Sequence, residues 1–171
     1  MKLSSCISNI LRPARLLALF AGALALVQHT AHARDQVPFR LEWNSKIETI
    51  VDFPIATVIG TGEGLGTHLG RLHAQSVAEE VNLETGAGVA TYRYTAANGD
   101  EVLVDFVFSA IPTSPTVFAV SGTWQIIGGT GRFEGASGSG TYQGGVEFTG
   151  PNSALGHFGM LGTISSPGSL K

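Results

Sequence analysis

The chain has 171 residues, 43% of them hydrophobic and 13% charged, with a formal net charge of −3 and one cysteine. An acidic chain lacks the basic face that a nucleic acid or an anionic lipid surface demands, and a lone cysteine excludes a disulfide framework. The length accommodates one domain with a core of its own.

Residues 1–33 read as a secretory signal peptide. Lys2, Arg12 and Arg15 give a positive start, Leu16 to Val27 is a twelve-residue apolar run, and Ala31-His32-Ala33 is a small-x-small cleavage site. As a helix that run spans about 18 Å, short of a hydrocarbon core of about 30 Å, so cleavage after Ala33 is expected and stable membrane insertion is not. The expected location is secreted or periplasmic. Of ten Lys and Arg, three leave with the leader, so seven basic groups face thirteen acidic ones and residues 34–171 carry −6.

From there the dominant period is two. Phe39, Leu41, Trp43 and Ile47 alternate with Arg40, Glu42, Asn44, Lys46 and Glu48, which predicts a strand with one wet face. Pro54 to Thr61 is β-branched and predicts a second strand. Thr67 to Val77 predicts a third, with Leu72 and Ala74 opposite Arg71, His73 and Gln75. By parity His68 then shares the face of Leu72 and Ala74, which leaves two readings: an inward residue near one mouth, or an exposed or satisfied strand residue. No stretch reads convincingly as a helix: Gln75 to Leu83 has a composition that suits one, but it runs on from a strand-like segment and lacks a clear cap.

Val89 to Thr95 and Glu101 to Ala110 flank Ala97-Asn98-Gly99-Asp100, a hairpin signal whose Asn-Gly pair is expected at positive φ in both positions. Tyr92 and Tyr94 share one face of the first arm, and Val102, Val104, Phe106 and Phe108 share one face of the second. Pro112 and Pro115 mark a loop. Thr116 to Ile127 predicts a strand with Phe118, Val120, Trp124 and Ile126 on one face. Gly138 to Phe148 and Leu155 to Ile164 close the chain around a turn at Pro151-Asn152. About eight evenly spaced antiparallel strands imply a barrel or a sandwich. The strand glycines favour the all-β closed barrel over residues 34–171, because glycine lets a strand coil sharply.

The segment Gly128 to Tyr142, GGTGRFEGASGSGTY, invites a phosphate-loop reading and fails it. A dinucleotide fingerprint would need glycine where Glu134 stands, a P-loop would need a lysine, and Gly135 to Gly140 is hostile to the helix both require. A structural corner fits instead: Gly128 and Gly129 end one strand, Thr130 to Glu134 makes a tight excursion through Gly131 in which Phe133 dips back to the core, and Gly138 starts the next strand.

Set between the last strands of a barrel, this segment resembles the GG-x-G-x-F-x-x-A/G-x-G element of the allene oxide cyclase and dirigent superfamily. Gly66-Thr67-His68-Leu69-Gly70-Arg71 and Thr95 to Asp100 are similar to small bacterial secreted proteins of the allene oxide cyclase-like kind. The resemblance spans residues 34–171 and implies an eight-stranded barrel with an apolar cavity, and a homotrimer by analogy with plant members. No position here matches a catalytic residue of those plant proteins.

His68, His73 and His157 form no metal-ligand spacing, and no metal or cofactor is expected. No serine sits in a nucleophile elbow, and Glu42, Glu48, Asp105 and Glu147 fall on wet strand faces. Trp43, His68, Tyr92, Tyr94, Phe106, Phe108, Phe118, Trp124 and Tyr142 are the candidate ligand-binding residues. In a small barrel such side chains either fill the core or line one cavity, and the pattern alone does not separate the two. The expected function is binding of a small apolar ligand, or a structural or interaction role. The alternative is an isomerase or cyclase working in the barrel cavity, and a third reading is a small outer-membrane barrel.

Overall fold

The computed structural model describes residues 35–165; the signal peptide and cleavage site expected from the sequence lie outside them. Eight strands follow one another: β1 (Gln36–Asp52), β2 (Ile55–Gly66), β3 (Gly70–Asn82), β4 (Ala87–Ala96), β5 (Glu101–Pro112), β6 (Val117–Gly129), β7 (Gly138–Phe148) and β8 (Ser153–Ser165). Each pairs antiparallel with the next, and β8 returns to β1 through pairs such as Trp43 with Phe158. The result is the closed, all-β barrel that the alternating pattern and strand glycines predict, and closure leaves no sheet edge unpaired.

Gln75 to Leu83 continues the strand before it: β3 runs on to Asn82, and its pairing with β2 and β4 overrides composition. Two local expectations are corrected. Thr67 to Leu69 form a turn instead of the start of β3, so the parity argument does not reach His68. That residue sits exposed at φ 66, where its Nε2–H donates to the Pro38 carbonyl at 3.2 Å. In the β4–β5 hairpin only Gly99 has positive φ (87), and Gly99 N–H donates to Ala96 O at 2.9 Å. The loop is the three-residue kind, a turn followed by one left-handed glycine.

The two ends of the barrel differ. At the end that holds the β2–β3, β4–β5 and β6–β7 turns, Phe39, Leu41, Leu69, Phe133, Met160 and Ile164 are all at most 2% exposed. Trp124 packs there against Phe39, with ring centroids 5.4 Å apart, and its Nε1–H donates to Thr141 O at 3.0 Å. Above this layer Trp43 stacks on Phe158 at 5.0 Å and meets Tyr94 edge-on at 5.5 Å. The Tyr94 hydroxyl is fully buried there and takes no hydrogen bond among the described residues. Removing a buried, unpaired hydroxyl while keeping the ring lifts a desolvation penalty. Tyr94→Phe is therefore expected to raise stability by about 1 kcal/mol in urea unfolding.

The glycine-rich corner is built as its residues suggest. Thr130 N–H donates to Glu101 O at 2.9 Å, and a short 3-10 turn over Gly131–Phe133 drops the Phe133 ring into the core at 0% exposure. The loop does hold an anion, and it is the chain's own: Asp100 accepts from Arg132 N–H at 3.3 Å and faces the Arg132 guanidinium at 3.6 Å. Gly131 has φ 56, and a Cβ there would collide with that carboxylate.

Candidate functional site

The barrel is packed only through part of its length. At the end with the β1–β2, β3–β4, β5–β6 and β7–β8 turns, it opens into a cavity of about 420 Å³. Inward residues of seven strands give it apolar walls: Ile47 on β1, Val58 on β2, Phe108 on β5, Val120 on β6, Val146 on β7 and Phe158 on β8 are among them, with Val81 on β3. Leu83, Glu84, Thr85 and Gly86 of the β3–β4 turn, with Ile111 and Pro112, form the mouth. A recess of about 20 Å³ adjoins the cavity, lined by Trp43, Glu79, Ala90, Tyr92, Phe106, Tyr142 and Phe158. It has room for one water-sized group.

One carboxylate, Glu79, lines both spaces. It points inward because β3 carries a bulge. Ser76 pairs with Tyr92 and Ala78 with Thr91, which leaves Val77 without a partner on β4 and the residue 54% exposed. Before the bulge the inner face reads Leu72, Ala74 and Ser76; after it, Glu79 and Val81. An extra residue inserted into a period-two strand reverses the parity of everything beyond it.

The Tyr92 hydroxyl donates to Glu79 Oε2 at 2.8 Å, and Oε1 has no partner among the described residues. Gly60 of β2 leaves the space this contact needs, since a Cβ there would collide with the Tyr92 hydroxyl. Gly60 N–H in turn donates to Ser76 Oγ at 2.8 Å, which ties β2 to the residue just before the bulge. Burial pushes the Glu79 carboxyl up from 4.5 to about 7, and the Tyr92 hydrogen bond only partly offsets that. The phenols of Tyr92 and Tyr142 are held above the usual tyrosine range, first by burial and then by the neighbouring Glu79 charge. No Lys, Arg or His lines either space. A carboxyl poised near neutrality in an apolar cavity can accept or give a proton and can hold one polar group of a ligand.

The candidate residues divide by depth. Phe108, Phe118 and Tyr142 line the cavity; Trp43, Tyr92, Phe106 and again Tyr142 line the recess. Tyr94 and Trp124 lie in the packed layers, and His68 is in its surface turn. Both earlier alternatives hold, at different heights: the aromatic side chains fill one half of the barrel and line the other. Glu79 escaped the sequence reading because strand β3 was ended at Val77. The available signal was that Val81 and Leu72 have opposite parity, so one continuous strand needs a bulge between them.

Among the described residues no three His, Cys, Asp or Glu stand together to hold a metal, and no helix is long and apolar enough to cross a membrane. No family model and no curated protein matches the chain. Among solved structures the chain is similar to a pterocarpan synthase dirigent protein, at a TM-score of 0.44 and 11% sequence identity, over 87% of this chain and 100% of that one.

Proposed function

We propose that the protein is a binding module that takes one small, mainly apolar molecule into the open half of its barrel. The observation that carries this is the cavity of about 420 Å³, which falls within the range of about 300–1,000 Å³ used by small-molecule sites. Its walls are apolar and its single deep carboxyl sits beside a recess, the pattern of a site that binds by area and orients by one polar contact. Arg40, Glu42, Lys46 and Glu48 cover the outer face of β1, which favours a barrel surrounded by water over one surrounded by lipid. The positive start, apolar run and small-x-small site within residues 1–33 support export to the periplasm or out of the cell.

The test is titration of the purified protein with the neutral dye Nile red. One saturable site with raised emission is expected. Ala110 lines the cavity, so Ala110→Trp is expected to block that site while the melting temperature stays near the wild-type value. Absence of saturable binding to the wild-type protein would overturn the proposal. An isomerase or cyclase in the same cavity would use Glu79 and Tyr92 to move a proton, and mass spectrometry of a recovered ligand separates the readings: a binding module returns it unchanged.

A further inference from the structure

We infer that the ligand class of this cavity is an apolar molecule carrying one cationic amine, whose ammonium group enters the recess and caps the free oxygen of Glu79. The inference rests on the binding reading above and adds the polarity of the ligand. Glu79 reaches the cavity only because of the bulge at Val77, and Gly60 leaves room for the Tyr92 hydroxyl that holds its Oε2. Oε1 is left for a donor from elsewhere.

The surroundings supply no such donor. The titratable and charged groups around the two spaces are Tyr92 on β4, Tyr142 on β7 and Glu84 at the mouth, with Tyr94 behind Trp43. Strands β1, β2, β5, β6 and β8 turn only uncharged side chains toward them. A buried carboxylate without a counter-cation is stabilised most by a ligand that brings one. A ligand carboxylate would meet like charge instead, so the site discriminates against fatty acids by repulsion as well as by missing contacts. The recess of about 20 Å³ admits one water-sized head group, and the cavity takes the chain behind it.

The direction of the pH dependence follows from the same pairing. An alkylammonium keeps its charge across the neutral range, so its affinity tracks the ionised fraction of Glu79. That fraction grows about tenfold per pH unit below neutrality and then levels off.

The experiment is calorimetric titration of the protein with decylamine, decanol and decanoate at pH 5.5 and pH 8. Decylamine is expected to bind about thirtyfold tighter at pH 8 than at pH 5.5. At pH 8 it should bind at least about tenfold tighter than decanol, and decanoate weakest of the three. Glu79→Gln, with its fold checked by thermal melting, should flatten the decylamine pH profile. Decanol binding as tightly as decylamine, or a flat wild-type profile, overturns the amine inference and leaves the binding module standing. If none of the three binds while Nile red does, the amine inference falls and the binding module stands; if Nile red does not bind either, both fall.

Discussion

Phe133→Ala is expected to lower the stability of the barrel by about 3–5 kcal/mol. The ring is at 0% exposure and comes from a turn instead of a strand, so its place in the core depends on the corner around it. That corner is fixed by Thr130 N–H to Glu101 O, by Phe133 N–H to Thr130 O at 3.0 Å and by Ala136 N–H to Phe133 O at 2.9 Å. With the backbone held on both sides, the walls cannot collapse into the space the ring leaves, and the cavity penalty adds to the lost burial. Arg132 lies over the ring at 4.9 Å and pairs with Asp100, so the outer lid would lose its floor as well. Circular dichroism melting reads the result as a fall of roughly ten degrees or more for a domain of this size. An unchanged melting temperature would mean that the ring is not a plug, and the loop would then be open to a recognition role.

The corner was legible from sequence because its evidence is local. Glycine runs, one aromatic residue among polar neighbours and the missing helix all sit within fifteen residues. The same holds for β1 and β5, where an alternation predicts which side chains face inward. Phe39, Leu41 and Trp43, for example, are buried as their pattern predicts. What the sequence hid was nonlocal. The inward turn of Glu79 follows from one unpaired residue, Val77, and the pairings that leave it out involve β4, more than a dozen positions away. The division between filled and empty halves is likewise a property of the closed barrel. Tyr94 and Tyr92 are two residues apart on one strand, yet the first lies in the packed layer and the second at the recess. His68 is exposed, one of the two readings its parity left open, but it lies in a turn and not on a strand. Its segment alternates well enough for a strand, but the chain reverses there, and a residue in a turn has no inner or outer face to share.

Glu79→Gln is expected to make the protein more stable than wild type at pH 8 by up to about 3 kcal/mol, with no such gain at pH 4. The sign follows from the shift. The folded carboxyl titrates at about 7 and the unfolded one at 4.5, so the fold binds the Glu79 proton more tightly than the unfolded chain does. The favourable contribution of protonated Glu79 is full below 4.5, is lost as the pH rises toward about 7, and is absent above it. Glutamine keeps the carbonyl that accepts from Tyr92 and removes the ionisation, so the variant escapes that loss. Urea unfolding of both proteins at pH 4 and pH 8 measures the difference directly. A gap that is the same at both pH values would place Glu79 in water, not beside the cavity. A wild-type barrel that becomes less stable at neutral pH by holding one charge among Phe106, Tyr142 and Phe158 is locally inconsistent with its own apolar core. Such conflicts persist where function requires them, and here the conflict has a direction: any ligand that brings a positive charge to Glu79 returns the lost stability. Decylamine at pH 8 should therefore raise the melting temperature of the wild-type protein more than that of the Glu79→Gln variant, linking the pH dependence of the empty barrel to the ligand it selects.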